Sequence, residues 1–364
     1  MPANPLIIPY FLNQAGCPRR CIFCNQQVIV GSEEGGQGTL EEVVAAYCQS
    51  WGGTTKRQVQ LAFYGGSFTS LPLQQQQEYL LQAWRYLQQG TVQRVRLSTR
   101  PDALEKVCVE HLQRYGVDIV ELGVQSLDDQ VLAASNRGHN AAAAIAAVKL
   151  LQEYDFTVGI QLMVGLPLQH RASFFATLET VIGLRPAFIR LYPALVLAGT
   201  RWATCWHEPG YTPLPLPEAV SWCADALCLC RAADIPVVRM GLHPSGGLDR
   251  PGNVVAGPYH QAFGELVKSY LFREKVVDMV RKGVLDKQSR LRQGKRTAVS
   301  FGLHVADISA FIGHQRSNML FFAQQFQDLE IGWHVDRQVC RGEFACMVGR
   351  RSVADRCSIF VPQG

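Results

Sequence analysis

The 364-residue chain has no long apolar run. Its longest, over residues 157–168, falls short of the roughly 20 residues that cross a bilayer and is broken by Gly and Pro. At the N-terminus, Met1-Pro-Ala-Asn-Pro5 has no charged n-region followed by a signal core. No Gly-x-Gly-x-x-Gly follows the first strand-like segment, which disfavours a dinucleotide-binding Rossmann protein. Internal repeats and long low-complexity segments are missing too, although 31–38 has the composition of a mobile loop. Twelve cysteines do not make a disulfide scaffold here, because such scaffolds are small and this chain is 48% hydrophobic and 18% charged, enough to bury a large core. We expect a cytoplasmic protein in a reducing compartment, with one large domain and a small one.

What the chain does have is three cysteines close together. In Gly16-Cys-Pro-Arg-Arg-Cys-Ile-Phe-Cys-Asn25, Cys17, Cys21 and Cys24 are separated by three and then two residues. Three thiolates in one short loop can each ligate a different iron of a [4Fe-4S] cube and leave the fourth iron open to a small molecule. A structural zinc site wants four ligands, usually in two pairs, and no second pair of that spacing follows. Phe23 adds a flat apolar surface suited to a purine. By contrast, Cys223, Cys228 and Cys230 fall on an apolar helical segment and suit burial as small hydrophobes.

Charge is uneven. Residues 270–364 carry 15 Lys and Arg against 9 Asp and Glu, while the whole chain has a net charge of +5. The densest part holds Arg281, Lys282, Lys287, Arg290, Arg292, Lys295 and Arg296. Such a stretch can neutralise nucleic-acid phosphates. It equally suits a solvated helix end, and it has no interleaved aromatic residue on which bases would stack.

Short branched apolar runs alternate with longer segments of helical period, the pattern of repeated β/α units around a parallel sheet. Strands are expected at 6–12, 59–64, 92–97, 118–124, 156–164 and 187–191. Thr39, with Glu42 three residues on, marks a capped helix start. Six units are too few for a closed eight-fold barrel, so we expect an α/β fold with a partial (β/α)6 TIM-type barrel over residues 1–240. Residues 241–284 then read as a connecting loop and a long helix covering the barrel, and 285–364 as a small basic α+β appendage. In parallel β/α sheets reactive groups gather at the carboxyl ends of strands. The cysteine loop, Gly65-Gly66-Ser67, Ser98-Thr99-Arg100, Gln125-Ser126 and Gly165-Leu166-Pro167 all fall there. Tyr259, His260 and Glu265, after a Gly-Pro turn, are further candidates to face a substrate.

These features resemble the radical S-adenosylmethionine (SAM) enzymes over about residues 5–240. Phe63-Tyr-Gly-Gly-Ser-Phe-Thr69, Ser98-Thr-Arg-Pro-Asp102, Glu121-Leu-Gly-Val-Gln-Ser-Leu127 and Gly257-Pro-Tyr-His-Gln-Ala-Phe-Gly-Glu-Leu266 look most like the Elongator catalytic-subunit-like branch. A more distant similarity is to oxygen-independent coproporphyrinogen oxidases. The resemblance implies that Cys17, Cys21 and Cys24 bind three irons and that SAM chelates the fourth. A reduced cluster would then cleave SAM to methionine and a 5′-deoxyadenosyl radical, which takes hydrogen from a substrate. It further implies Phe23 beside the adenine, Gly65 and Gly66 at the methionine amino group, Arg137 on the methionine carboxylate, and Gln125 and Gln161 near the ribose. An electron donor such as flavodoxin or ferredoxin follows from the same resemblance.

Ser98 stands where relatives commonly carry Glu, and Gln161 where many carry Asp, so two carboxylates become neutral hydrogen-bonding side chains. Members of the branch modify transfer RNA with help from an acetyltransferase domain. The last 80 or so residues have no glycine-rich acyl-CoA loop, so acetyl transfer is not expected of this sequence. Both a transfer RNA and a small-molecule substrate fit it. The rival from another class is a non-catalytic RNA-binding or metal-sensing protein that uses the three cysteines for zinc or a redox cluster.

Overall fold

Branched and aromatic residues place nine strands in the first two-thirds of the chain: β1 Leu6–Phe11, β2 Val59–Tyr64, β3 Arg94–Thr99, β4 Val117–Gln125, β5 Thr157–Val164, β6 Phe188–Pro193, β7 Val196–Leu197, β8 Val237–Met240 and β9 Val254–Ala256. The computed structural model of the protein describes residues 5–12, 15–18, 20–31, 38–51, 57–282, 296–348 and 351–360. Most of the expected mobile loop at 31–38, and Lys287, Arg290, Arg292 and Lys295 of the basic stretch, lie outside them.

Seven strands form one parallel sheet in the order β1-β2-β3-β4-β5-β6-β8. Helices Leu40–Ser50, Leu73–Gln88, Lys106–Arg114, Ala141–Glu153 and Arg171–Gly183 alternate with the strands, so consecutive strands run the same way. Thr39 and Glu42 make the expected capping box: the Thr39 N–H donates to Glu42 Oε2 at 2.7 Å and the Glu42 N–H to Thr39 Oγ1 at 3.2 Å. The fold is thus the partial barrel expected from six β/α units, extended by a seventh strand at 237–240.

The sheet's curl can be read from one hydrogen bond. β2 and β6 are four places apart in the strand order, about 19 Å if the sheet were flat. Yet Arg190 Nη2 on β6 donates to the Tyr64 hydroxyl on β2 at 3.1 Å. Only a strongly curved sheet brings those side chains together, and its inner face is concave.

The chain divides into two compact units. The first comprises residues 1–216 and 235–261, and the second residues 217–234 and 262–364. Nearly all of helix Leu216–Ala232, which falls within 1–240 in sequence, therefore groups with the later residues, and there Cys223, Cys228 and Cys230 are buried. The second unit also contains helix Phe263–Arg281, helix Ser317–Gln325, and strands β10 Thr297–Leu303, β11 Leu329–Val335, β12 Glu343–Val348 and β13 Arg351–Ser358, in the order β11-β10-β12-β13. Among the described residues no helix is long and apolar enough to cross a membrane.

Candidate active site

The cysteine loop leaves β1 and is tied to three neighbouring segments. The Ser67 N–H donates to Ala15 O at 3.0 Å, just past the end of β2. From the turn after helix Asp129–Ala134, Asn136 Nδ2 donates to Arg20 O at 2.8 Å, and Ser135 O accepts from the Ile22 N–H at 3.3 Å. From the β7 side, the Trp202 N–H donates to Ile22 O at 3.0 Å, and Ala198 O accepts from Asn25 Nδ2 at 2.7 Å. A ten-residue loop with few bonds of its own is held by these anchors.

Two glycines let the loop lie this close. A Cβ on Gly66 would collide with the Ala15 carbonyl oxygen, and one on Gly16, at φ +71°, with the Ser67 carbonyl oxygen. The Gly65-Gly66 turn therefore has a packing reason beyond access for a ligand: it seats the cysteine loop.

Arg137 reaches the cysteines from 116 residues along the chain, its Nη1 donating to Cys21 Sγ at 3.0 Å. Its Nη2 donates to the Gly123 carbonyl, and its buried Nε has no partner among the described residues. Gly123 leaves the space this needs, because a Cβ there would meet Gln125 Nε2 at 2.9 Å and Arg137 Nη2 at 3.4 Å. Gln161 Nε2 donates to Gln125 Oε1 at 3.1 Å. Arg137, Gln125 and Gln161, expected from sequence, are thus gathered around Gly123, which sequence reasoning passed over. A glycine inside the strand pattern at 121–125 was the available signal.

Arg100 was missed as well, although its motif was noted. Its Nε and Nη2 grip Asp102 at 2.9 and 2.7 Å, and Nη2 also donates to the Arg137 carbonyl, so a buried guanidinium braces the backbone that carries Arg137. Burial works against the Asp102 carboxylate, but the hydrogen bonds and charge of Arg100 outweigh it and hold its pKa below the usual range. Beside them, burial and then the Arg137 charge push the pKa of His139 down to about 4. That imidazole is neutral at pH 7.

The remaining expected residues divide. Phe23 packs with Tyr192, Trp206 and Tyr211 against a core of Ile22, Met163, Leu166 and Trp202. Ser98 turns back along the sheet, its hydroxyl donating to Phe63 O at 3.4 Å. Tyr259 binds Asp249 through its hydroxyl, whereas Glu265 belongs to the second unit and pairs with Lys268.

The thiols suit iron. Burial, then the neighbouring Cys21, raises the pKa of Cys17, and burial, then Cys21 and Cys17, pushes Cys24 up to about 12. A cationic cluster would relieve the cost of ionising Cys17 and Cys24 by displacing their protons. Among the described residues no three His, Cys, Asp or Glu side chains converge as the ligands of a single ion would. A cube asks something different, since each thiolate addresses its own iron. The unpaired Arg137 Nε fits an anionic ligand beside it.

Comparison with known proteins gives the family. The pattern of the Radical SAM superfamily matches residues 14–181, and that of the Radical SAM C-terminal domain matches residues 186–273. The chain belongs to the radical SAM superfamily and is an enzyme of that class, whose members use a [4Fe-4S] cluster and SAM as cofactors. Within the superfamily its relatives are consistent with the Elongator-like branch. It is 34% identical over 137 residues to the tRNA uridine(34) acetyltransferase of Dehalococcoides mccartyi, covering 36% of this chain and 30% of that protein. It is 27% identical over 223 residues to an uncharacterized protein of Methanocaldococcus jannaschii, covering 58% of this chain and 68% of that one. In structure it resembles Elp3 of the archaeon Methanocaldococcus infernus, with TM-score 0.57 and 19% identity over 78% of this chain and 64% of that one, a likeness of fold. The match thus spans about a third of the length of the tRNA-modifying relative.

Proposed function

We propose that Cys17, Cys21 and Cys24 hold the [4Fe-4S] cluster and that the strand ends around Gly123 hold SAM, so that the enzyme takes hydrogen from a transfer RNA. The observation carrying this reading is Arg137, which lies between Cys21 and Gly123 with one buried N–H still without a partner. When bound, the reduced cluster and SAM supply cleavage of the sulfonium carbon–sulfur bond to methionine and a 5′-deoxyadenosyl radical. The chain's own residues orient and shield that chemistry. Arg137 presents a guanidinium to the methionine carboxylate. Gly65 and Gly66 offer backbone to the methionine amino group, Gln125 and Gln161 offer amides to the ribose, and Ser98 offers a hydroxyl. Phe23 lines the adenine, and with Tyr192, Trp206 and Tyr211 it excludes water.

Two supports point to transfer RNA: the activity in the name of the Dehalococcoides relative, and the basic residues Arg281, Lys282 and Arg296 flanking the undescribed part of the positive stretch. A flavodoxin or ferredoxin in a reducing cytoplasm supplies the electron in this reading.

Anaerobic reconstitution tests it. About four irons per chain should bind, and reduction in the presence of SAM should release methionine and 5′-deoxyadenosine. A cluster-loaded, reduced sample that leaves SAM intact would overturn the proposal. Comparing transfer-RNA nucleosides and metabolite pools with and without the protein then tests the substrate, and a change confined to the metabolites would replace transfer RNA with a small molecule.

A further inference from the structure

The concave face of the first unit carries a buried ion-pair cluster and one arginine outside it. Glu121 is 4% exposed and lies between two arginines. Arg96 pairs with its Oε1, and Arg190 Nη1 lies 2.9 Å from its Oε2. The Tyr64 hydroxyl donates to Oε1 at 2.9 Å, so both carboxylate oxygens are engaged. The outer nitrogens of the two arginines are engaged as well. Arg96 Nη1 donates to Gln60 Oε1 at 2.9 Å, and Arg190 Nη2 to the Tyr64 hydroxyl at 3.1 Å. This lattice closes the face at mid-height.

Arg239 belongs to the same face without belonging to the lattice. It is the register partner of Arg190 on the neighbouring parallel strand, so the two side chains leave the sheet on one side. Its Nε donates to Gly241 O at 3.1 Å. Its two terminal nitrogens have no partner among the described residues, and the side chain is only half-buried. Arg239 thus adds a guanidinium to a face whose Glu121 carboxylate is already engaged by Arg96 and Arg190. The Gln161–Arg190 register pair links this position to the Gln125–Gln161 contact at the strand ends.

We propose that the terminal nitrogens of Arg239 bind an oxyanion of the substrate, a phosphate or a carboxylate, and so fix where the substrate lies on the concave face. A guanidinium fork matches either group in two-point fashion, and an ammonium does not. Among the described residues no carboxylate pairs with Arg239, so its charge is available to an anion from outside. This deepens the radical SAM reading and rests on it for the identification of the face as the substrate chamber.

The test is calorimetric titration of the cluster-loaded, SAM-bound enzyme at low ionic strength with inorganic phosphate, uridine 5′-monophosphate and succinate. The proteins compared are wild type, Arg239→Gln, Arg239→Lys and the exposed-surface control Lys106→Gln. At least one oxyanion should bind wild type and Lys106→Gln alike, at least about tenfold more weakly to Arg239→Gln, with Arg239→Lys between them. Tighter binding of the phosphates than of succinate assigns a phosphate-bearing substrate, and the reverse order a carboxylate. Equal affinity in wild type and Arg239→Gln overturns the proposal, as does a wild-type enzyme that cleaves SAM yet binds none of the probes. Should Arg239→Gln fail to fold, Arg239→Lys decides: unchanged two-point binding with the fork removed is also an overturning result. Cleavage of SAM by wild type is scored separately, so its failure strikes the parent reading while the titrations still report on Arg239.

Discussion

The two larger sheets among the described residues bury opposite kinds of side chain. In the second unit Phe301 packs against Phe311 with ring centroids 5.2 Å apart and edge-on to Phe344 at 5.4 Å, while Phe311 also meets Phe272 and Phe322. Its fully buried polar residues are few: Asn318 Nδ2 donates to Ser269 O at 2.9 Å, and Asp307 accepts from the Gly342 N–H at 2.7 Å, while Glu343 Oε2 is the one buried side-chain atom there without a partner among the described residues. On the concave face of the first unit the interior is instead Tyr64, Arg96, Glu121 and Arg190. Aromatic packing stabilises without demanding partners, whereas buried charge lowers stability unless every group is matched. The first unit keeps Arg96, Arg190 and Arg137 each with a buried Nε that has no partner among the described residues, and it is organised for something besides stability. These three guanidiniums lie on the unit that carries the cysteine loop.

Four measurements break or sharpen that contrast. The largest effect is expected from Cys21→Ala, which removes one of the proposed iron ligands and should abolish SAM cleavage and most iron loading while leaving a folded chain, as seen by iron analysis and circular dichroism. In the aromatic unit Phe301→Ala should lower unfolding free energy by about 4 kcal/mol, measured in denaturant. For the charged face, Glu121→Gln leaves two buried arginines facing a neutral amide. The expected loss is about 3 kcal/mol, and a variant as stable as wild type would mean that the lattice is hydrated in solution. The smallest effect is a pH window. His139 has a folded-state pKa of about 4, below its ordinary value of 6.5, so its contribution is intact above 6.5 and is lost as pH falls toward 4. Melting temperature should drop across that interval in wild type and less in His139→Gln. Equal slopes would show that the imidazole is protonated without penalty.

Much of the frame was legible because it is written in short spacings. Strand 59–64 has the bounds read from sequence, and β4 and β5 differ by a residue or so at their ends, since runs of Val, Ile and Leu between turn residues are themselves the signal. β3 is displaced to 94–99 because its pairing extends to Thr99, whose hydroxyl bonds Ser67 and Thr69. The seventh strand was overlooked because 237–240 is short and half-exposed. In the candidate site, Arg137, Gln125 and Gln161 were nameable through the family resemblance. Arg100, Gly123 and Arg239 were not, since each acquires its role from a residue on another strand or loop.

By itself the sequence determined that three cysteines share one loop after a strand, that β/α units repeat, and that Thr39 caps a helix, because each depends on residues within a few positions of one another. Only the tertiary structure decided that Gly66 seats the cysteine loop, that Arg137 touches Cys21, and that Tyr64 meets Arg190 across four strand places. The last two contacts depend on the accumulated curl of the sheet. That curl is a sum of small rotations between neighbouring strands, and no local spacing encodes it.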